Sequence, residues 1–373
     1  MNLLYANDEI GQYPDSWYAA TCEPLASYPV LMGDQRADVC VIGAGFTGLS
    51  TALHLAKTGH QVIVLDAQRI GFGASGRNGG QLGSGQRLDQ RELQQSLGKD
   101  YAKLLWELAE DSKATVVSLI KEHGIDCTLK PGIAHFGFHK NDMRNIHEEA
   151  EFLAVNYGYS QYHPLSKEEG KSICPSPVYH GGAIDRGAFH LHPLRLALGL
   201  AKAADAAGVI IYENSEAIAV HQDPGTRVRT STGCVTCENV VLACNGYLGK
   251  LNAAVARRVM PINNFIVATE PLGDAHTRVL REDIAVTDTK FVVNYFRKSE
   301  DGRLLFGGGE NYSYAFPKDI ATTVRKPMVE IFPHLKNIRI DYAWGGTLAI
   351  TMRRLPYFKK LAPRVYSASG YSG

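Results

Sequence analysis

The sequence predicts an α/β protein of two discontinuous domains, one built around a parallel sheet and the other around an antiparallel sheet. A glycine-rich strand–turn–helix–strand unit at residues 38–66 predicts the first domain. Short segments rich in β-branched and aromatic residues from Met260 onward predict the second. The length of 373 residues exceeds that of one typical hydrophobic core, which also favours two domains.

The first unit opens with a short apolar strand at residues 39–42. Gly43, Gly45 and Gly48 then give the spacing G-x-G-x-x-G. In such a turn the first glycine permits a sharp bend, and the second lets a pyrophosphate approach the backbone. The third lets the following helix pack closely on the strand. The spacing therefore predicts a phosphate-binding turn.

The elements after this turn complete a Rossmann-like βαβ unit. A helical pattern covers residues 47–57, and a second apolar strand covers residues 62–65. Asp66 ends that strand, where an acidic side chain can accept hydrogen bonds from an adenosine ribose. Free N–H groups at the helix N-terminus favour the negative charge of the phosphates. Together these features predict a dinucleotide site.

The segment that follows indicates which kind of dinucleotide is bound. A nicotinamide-binding domain usually proceeds directly to another helix and strand. This chain instead enters GFGASGRNGG at residues 71–80, with five glycines and no apolar periodicity. Such a backbone can lie against an extended ligand.

The rest of the first domain is predicted from separate stretches of the chain. An amphipathic helix covers residues 193–207, a buried strand covers 209–212, and a hairpin lies around 225–233. A return strand at 240–243 then ends in CNGY. These elements predict three layers, with a β-meander on one face of the parallel sheet.

The second domain is predicted as an antiparallel sheet laid over the ligand. Its strands fall within residues 132–139, 261–272, 290–310 and 338–351, with a hairpin turn at 299–302. Helices are predicted within residues 89–123 and 142–156. The predicted boundaries are 37–90, 165–258 and 360–373 for the first domain, 91–164 and 259–359 for the second, and 1–36 for an N-terminal extension.

Composition excludes several classes of function. The chain has 39 basic and 38 acidic residues and a net charge of +1, which argues against nucleic-acid binding. Neither a secretory signal nor a long apolar run occurs, so a soluble cytoplasmic protein without membrane contact is expected. The seven cysteines fit reduced thiols. Cys234 and Cys237 lie in a hairpin pattern without further ligands nearby, so a structural role is preferred and no metal is predicted.

Several motifs resemble the D-amino-acid oxidase-like superfamily of FAD enzymes, and within it most closely the gamma-glutamylputrescine oxidoreductases. They are SWYAAT at 16–21, GASGRNGGQ at 73–81, HLHPLRLALGLA at 190–201, WGGTLAIT at 344–351, RLPYF at 354–358 and ASGYSG at 368–373. The resemblance runs from about residue 16 to the end of the chain. It implies an FAD-dependent oxidation of an amine C–N bond, with hydride transfer to the flavin and hydrolysis of the product to an aldehyde and ammonia.

The resemblance also implies which residues contact FAD. They are Gly43, Gly45, Phe46, Thr47, Gly48, Asp66, Ala67, Ala74, Ser75, Arg77, Asn78, Gly79, Gly80, Gln81, Ala217, Cys244, Gly246 and Gly370. Covalent attachment in relatives uses a cysteine in the segment matching 346–352 or a histidine in the segment matching 73–81, and both are lacking here. Non-covalent FAD is therefore expected.

The substrate is expected to be an amine, with O2 as the expected electron acceptor. Sarcosine oxidases place an arginine just after the GG segment, where this chain has Leu82 to Gly85, and its loss suits a plain primary amine. Some relatives place a lysine for oxygen reduction where Leu304 or Leu305 stands here. An amine dehydrogenase, a glycine- or sarcosine-type oxidase and a flavoprotein without turnover therefore remain alternatives.

No obligatory side-chain base is expected, because the cofactor supplies the reaction chemistry. Tyr295, on a predicted strand at 291–296, and Trp344 are candidates for an aromatic amine pocket, and Arg353 for its edge. His190 and His192 precede a helix, which favours capping and packing over contact with a ligand.

Two features remain open at this stage. His135 and His139 share one face of a predicted strand, and either solvent or the site could lie opposite them. The glycine turn at 370–373 opens a long helix in the resembled family, so a further C-terminal helix and weak FAD retention without it are expected.

Overall fold

The computed structural model describes residues 2–23, 25–222 and 225–371. The helices predicted within residues 47–57, 89–123, 142–156 and 193–207 are present, with bounds that differ by a few residues. The helices within the described ranges are α1 (Trp17–Ala20), α2 (Phe46–Lys57), α3 (Gln90–Leu97), α4 (Lys99–Glu122), α5 (Lys140–Tyr157), α6 (Lys167–Ile173), α7 (Pro193–Ala206), α8 (Ala253–Ala256) and α9 (Ile320–Ile331). None of them is long and apolar enough to cross a membrane.

The strands of the same ranges form two large sheets. They are β1 (Gly33–Ile42), β2 (Val62–Leu65), β3 (Gln81–Leu82), β4 (Lys130–Phe136), β5 (Tyr162–Leu165), β6 (Gly182–His190), β7 (Ile210–Tyr212), β8 (Ala219–His221), β9 (Thr226–Arg229), β10 (Gly233–Leu242), β11 (Met260–Thr269), β12 (Ala285–Asp288), β13 (Tyr295–Lys298), β14 (Leu304–Asn311), β15 (Ile340–Ile350), β16 (Tyr357–Ala362) and β17 (Val365–Ser369).

Strand β1 lies at the centre of the first sheet, whose order is β16-β17-β10-β1-β2-β7. β1 runs parallel to β2 and β10, β7 is parallel to β2, and β17 is parallel to β10. The predicted βαβ unit and third parallel strand are confirmed. The hairpin and the return strand are also confirmed, but β10 joins them into one continuous strand of 10 residues.

Both faces of this sheet are covered. Valines of β1 and β2 pack in one cluster with apolar residues of α2 and α7. The residues between those valines pack in a second cluster with Val228 and Val235 of the strands β9 and β10. Since successive side chains of a strand point to opposite faces, helices cover one side and the meander covers the other. The predicted three-layer arrangement is confirmed.

The second sheet has the order β15-β11-β14-β13-β12-β4-β6-β3, with β5 paired to β6. Most of its pairs are antiparallel, as predicted, but β12 and β4 are parallel. The turn at 299–302 joins the antiparallel strands β13 and β14, which confirms that hairpin. The strand predicted at 291–296 starts later, at Tyr295, and Phe291 is exposed.

Three predicted domain boundaries do not follow the sheet pairing. β3 and β6 belong to the second sheet although residues 37–90 and 165–258 were assigned to the first domain, and β16 begins before residue 360. β6 was not predicted because its strand propensity is weak: Gly182, Asp185 and Gly187 interrupt the run of β-forming residues. A methyl group at Gly182 would overlap with the carbonyl oxygen of His135 on β4, so the close pairing itself requires this glycine.

The predicted N-terminal extension packs into the body of the protein. Ser16 caps α1, and the next two residues, Trp17 and Tyr18, are buried. The Tyr18 ring lies edge-on to Trp344 at 5.1 Å and to His192 at 4.9 Å between centroids. The extension therefore contributes to the core between the two sheets.

His192 caps the helix α7. Its Nδ1 accepts a hydrogen bond from the backbone N–H of Arg195 at 3.3 Å, and its Nε2 lies 3.1 Å from the Thr21 hydroxyl. That hydroxyl donates to the carbonyl of Trp17, so we infer that Nε2 carries the proton and that the ring is neutral. The capping interpretation is confirmed for His192.

We expect His192→Asn to weaken the loss of stability in acid. Burial lowers the pKa of His192 to about 3, from an ordinary value of 6.5. The unfolded chain then binds more protons than the folded one, so the free energy of unfolding falls as the pH drops below 6.5, by about 1.4 kcal/mol per pH unit for this group. Asparagine can still cap α7 but does not titrate. Urea unfolding between about pH 7 and about pH 5 measures the slope.

The matched control is His163→Asn, because His163 is exposed on β5. This variant should keep the wild-type pH slope. A wild-type slope in His192→Asn as well would contradict the assignment of a neutral, buried imidazole.

Cys234 and Cys237 lie on β10 and are free thiols. Their separation of three positions points their side chains to opposite faces of the strand, so they cannot bind one ion together. Both lie in the predicted hairpin, on the strand β10 that pairs antiparallel with β9. Among the described residues, no group of three or more potential metal ligands occurs.

Candidate active site

A cavity of about 1590 Å³ opens at the carboxyl ends of the parallel strands β1, β2 and β10. Its walls also include residues of β11, β13 and β15 from the second sheet. Ligand pockets for small molecules commonly measure about 300–1000 Å³, so this cavity has room for a dinucleotide and a further small molecule.

The G-x-G-x-x-G turn forms one wall. Gly43 has a φ of +108°, which only glycine adopts without strain. A methyl group at Gly48 would overlap with the carbonyl oxygen of Gly43, so the predicted close helix–strand packing is confirmed. A methyl group at Gly45 would lie 2.7 Å from Oγ of Ser75, and the same Oγ accepts a hydrogen bond from the Phe46 N–H at 3.0 Å. The glycine loop thus lies directly on the turn.

Asp66 closes the turn from the side of β2. One carboxylate oxygen accepts the N–H of Ala44 at 2.6 Å, and the other accepts the N–H of Gln68 at 2.8 Å. Burial raises the pKa of Asp66 to about 6. The carboxylate lines the cavity, and lone pairs remain on both oxygens for the hydroxyls of a ligand.

The glycine loop is fixed by an arginine that it contains. The buried guanidinium of Arg77 donates to the carbonyls of Phe72 at 2.5 Å and Gly345 at 3.1 Å. It also pairs with Asp8 of the N-terminal segment at 2.8 Å. Part of Arg77 reaches the cavity wall, but its charged group ties the loop to the second sheet and to the N-terminal extension.

The structure brings together nearly all of the predicted cofactor residues. Those that line the cavity are Gly43, Gly45, Phe46, Thr47, Asp66, Ala67, Ala74, Ser75, Arg77, Asn78, Gly79, Gly80, Gln81, Ala217, Cys244 and Gly246. Gly48 lies behind the turn, and Gly370 donates its N–H to the Asn245 side chain at 3.0 Å beside the cavity-lining Tyr371. Ser372 and Gly373 of the predicted C-terminal turn lie outside the described residues.

Of the three predicted substrate residues, Tyr295 alone lines the cavity. Its ring is held between the backbones of Gly79 and Gly307, where added methyl groups would overlap with it. Its hydroxyl donates to Oδ1 of Asn264 at 2.5 Å. Tyr295 therefore forms a fixed aromatic wall where the glycine loop meets the second sheet.

The other two, Trp344 and Arg353, do not line the cavity. Trp344 is buried behind the glycine loop, and its Nε1–H donates to the carbonyl of Arg77 at 3.0 Å. Arg353 is exposed outside the cavity, and the adjacent Arg354 lines it instead. The chain turns at Arg354, whose φ is +57°, so that Arg354 and not Arg353 faces the cavity.

A further group of cavity residues lies on α4, β4 and β6 and in and before β5. They are Trp106, His135, Tyr159, Tyr162 and Asp185. The sequence left the surroundings of His135 open and gave no signal for the other four. Ser84 lies 2.7 Å from the Tyr159 hydroxyl, which donates to Asp185 at 2.7 Å. Burial lowers the pKa of His135, which favours its neutral form. No local motif marks these residues, since only the pairing of distant strands brings them together.

Comparison with known proteins identifies the family. The family of FAD dependent oxidoreductases named DAO matches residues 38–373. The chain belongs to this family. The match covers the phosphate turn, the glycine loop and both sheets, so FAD is the dinucleotide for which the cavity is built.

Similar proteins extend over almost the whole chain. A probable oxidoreductase, OrdL, of Rhizobium meliloti is 42% identical over 96% of this chain and 84% of its own length. A gamma-glutamylputrescine oxidoreductase of Escherichia coli is 36% identical over 97% of this chain and 85% of its own length. The crystal structure of glycine oxidase from Geobacillus kaustophilus superimposes with a TM-score of 0.73 at 22% identity, over 90% of each chain. The last comparison confirms the predicted fold.

Proposed function

We propose that this FAD-dependent oxidoreductase oxidises the terminal amine of gamma-glutamylputrescine, within the breakdown of putrescine. One observation carries the proposal: a single cavity continues from the phosphate turn past Tyr295 to a polar compartment around His135 and Asp185. A compartment beyond the cofactor suits a substrate longer than glycine or sarcosine. The similarity to the gamma-glutamylputrescine oxidoreductase of Escherichia coli supports the same substrate.

FAD fits the residues of the cavity. We assign the pyrophosphate to the turn at 43–48, where close approach needs the missing side chain of Gly45, and the adenosine ribose to Asp66. The flavin end then belongs beside Gly79, Gly80 and Tyr295. Bound there non-covalently, FAD supplies a two-electron acceptor for the hydride that leaves the carbon next to nitrogen.

The protein's own part is to bind, orient and desolvate the amine. The ring of Tyr295 offers an aromatic face for the amine end of the substrate. The neutral imidazole of His135, in the compartment beyond Tyr295, can accept a hydrogen bond from the part of the substrate remote from the reacting amine. The overall reaction converts the amine, water and O2 to the aldehyde, ammonia and hydrogen peroxide. No side chain is assigned as an obligatory base.

A comparison of four amines tests this function. Purified, FAD-loaded protein is mixed without oxygen with gamma-glutamylputrescine, putrescine, sarcosine or glycine, and loss of the visible flavin band is followed. We expect gamma-glutamylputrescine to bleach the flavin at the lowest concentration and the highest rate. Faster bleaching by sarcosine or glycine would replace the proposal with an amino-acid oxidase, and no bleaching by any amine would refute turnover.

A dehydrogenase is the second candidate. Leu304 and Leu305 are buried and apolar where some oxidases carry a lysine for oxygen reduction. The same amine assays in air decide between the two activities. Hydrogen peroxide in proportion to aldehyde indicates an oxidase, and reduction of an added dye without peroxide indicates a dehydrogenase.

A further inference from the structure

Besides Lys250, three charged side chains of the cavity wall have no partner in the part of the chain that the structure describes. Arg87 and Asp89 lie on the segment between β3 and α3, and Arg354 lies between β15 and β16. All three line the cavity. Within the described residues, none of their side chains makes a hydrogen bond or an ion pair, so their charges are available to a ligand.

Other carboxylates of the same wall are already satisfied. Glu149 accepts the N–H of Gln90 at 2.6 Å and pairs with Arg91 at 2.8 Å. Asp185 accepts the Tyr159 hydroxyl and the N–H of Gly187. Glu149 and Asp185 therefore stabilise the fold through their contacts, whereas the carboxylate of Asp89 makes no such contact within the described residues.

The position of Asp89 makes its free carboxylate unusual. Asp89 is the N-cap of α3, where an aspartate ordinarily accepts a backbone N–H of the first turn. Its side chain makes no such bond. The carboxylate thus forgoes a stabilising contact and remains accessible from the cavity.

The two arginines supply the opposite charge. Arg87 and Asp89 are exposed at the cavity wall and Arg354 is half-buried. Arg87 is near enough to Arg354 and Asp89 for both charges to act on it, and desolvation and the charge of Arg354 lower its pKa. Arg354 keeps a left-handed backbone at φ +57°, an unfavourable conformation for a side chain of this kind. Two guanidinium groups facing one cavity without a carboxylate partner favour an anionic ligand group.

We propose that Arg87 and Arg354 bind the carboxylate, and Asp89 the ammonium, of an α-amino-acid head at the end of the substrate remote from the reacting amine. This inference rests on the proposed function and names how the glutamyl part of the substrate is recognised. It is compatible with the expectation that the absence of arginine from residues 82–85 suits a plain primary amine at the reacting end of the substrate. The carboxylate site lies farther along the segment and serves the remote end of the substrate.

The subsite explains a preference over free putrescine. Putrescine would bring a second ammonium group towards two arginines, whereas the glutamyl head offers them a carboxylate. Like charges brought together oppose binding, so the two arginines select for the glutamyl substrate and against putrescine.

Kinetics of charge-removing variants test the proposal. In Arg87→Ala, and in Asp89→Asn, we expect the KM for gamma-glutamylputrescine to rise about tenfold to about a hundredfold, the range for lost hydrogen bonds to charged groups. The KM for putrescine should stay within about twofold in Asp89→Asn and fall in Arg87→Ala. Arg353→Ala and Asp100→Asn are the matched controls, because both residues are exposed and lie outside the cavity wall. An equal rise of KM for both amines in either cavity variant would overturn the proposal.

A binding measurement keeps this test separate from turnover. L-Theanine carries the γ-glutamyl head but has no primary amine at its other end. We expect calorimetry to detect its binding to the FAD-loaded wild-type protein and to Arg353→Ala, with binding lost in Arg87→Ala. Equal binding to Arg87→Ala and wild type, or none to wild type, would refute the subsite. Theanine binding in a protein that oxidises no amine would instead refute the proposed function and leave the subsite supported.

Discussion

Gly48→Ala should yield a protein that neither retains FAD nor reaches wild-type stability. A methyl group at this position would overlap with the carbonyl oxygen of Gly43 and lie 3.3 Å from the Val41 side chain. Because the obstacle is backbone, α2 must move away from β1, and that movement opens the phosphate turn. Overpacking in a core costs about 1–3 kcal/mol, and this site belongs at the upper end of that range. Urea unfolding measures the loss of stability, and titration of the FAD-free protein with FAD measures the loss of affinity.

A second helical glycine provides the matched control. Gly199 lies on α7, where a methyl group would overlap with the Ile125 side chain, and it does not line the cavity. Gly199→Ala should lower the free energy of unfolding while the folded fraction binds FAD with wild-type affinity. Gly83→Ala, with open space around it, should change stability little. Wild-type FAD affinity in Gly48→Ala would contradict the role given to the turn.

The phosphate turn could be predicted from sequence because its determinants are local. Gly43, Gly45 and Gly48 all lie in one turn. Asp66 lies beside that turn because β1 and β2 pair directly as parallel strands. The apolar pattern of residues 39–42 and 62–65 sets the strand faces directly. At this turn the local sequence pattern and the tertiary fold favour the same backbone structure, so the motif predicts the structure correctly.

The substrate compartment could not be predicted in the same way. His135 and Asp185 enter it through the pairing of β4 with β6, which depends on glycines and mixed residues rather than on apolar alternation. The position of Trp344 off the cavity wall could not be predicted, because a large aromatic residue fits a pocket and a core equally well from sequence. In the structure its indole N–H donates to the Arg77 carbonyl and holds the ring in the core. Because these two residues are far apart in the chain, the sequence pattern does not reveal this contact.

The effect of Arg297→Met is expected to reach both stability and the flavin. Arg297 is 6% exposed, and within the described residues no carboxylate pairs with it. Its guanidinium donates to the carbonyls of Gly79 at 3.1 Å and Leu191 at 2.9 Å. The variant leaves two carbonyls without this donor, at a cost of about 1–3 kcal/mol each. It also removes a buried positive charge behind Gly79 and Gly80, which line the cavity.

That buried charge favours an electron-rich cofactor at this wall, because a low local dielectric strengthens its field. We expect FAD in Arg297→Met to have a midpoint potential lower by about 30 mV or more, equivalent to about 1.4 kcal/mol for a two-electron couple. Dye-coupled potentiometry measures the shift without any substrate. Arg297→Lys keeps the charge but not the two-carbonyl geometry, so it should lose stability and keep most of the potential. Arg303→Met is the matched control, since the charge of Arg303 is balanced by Asp301 and Asp341. An unchanged potential in Arg297→Met would limit Arg297 to holding the glycine loop in place.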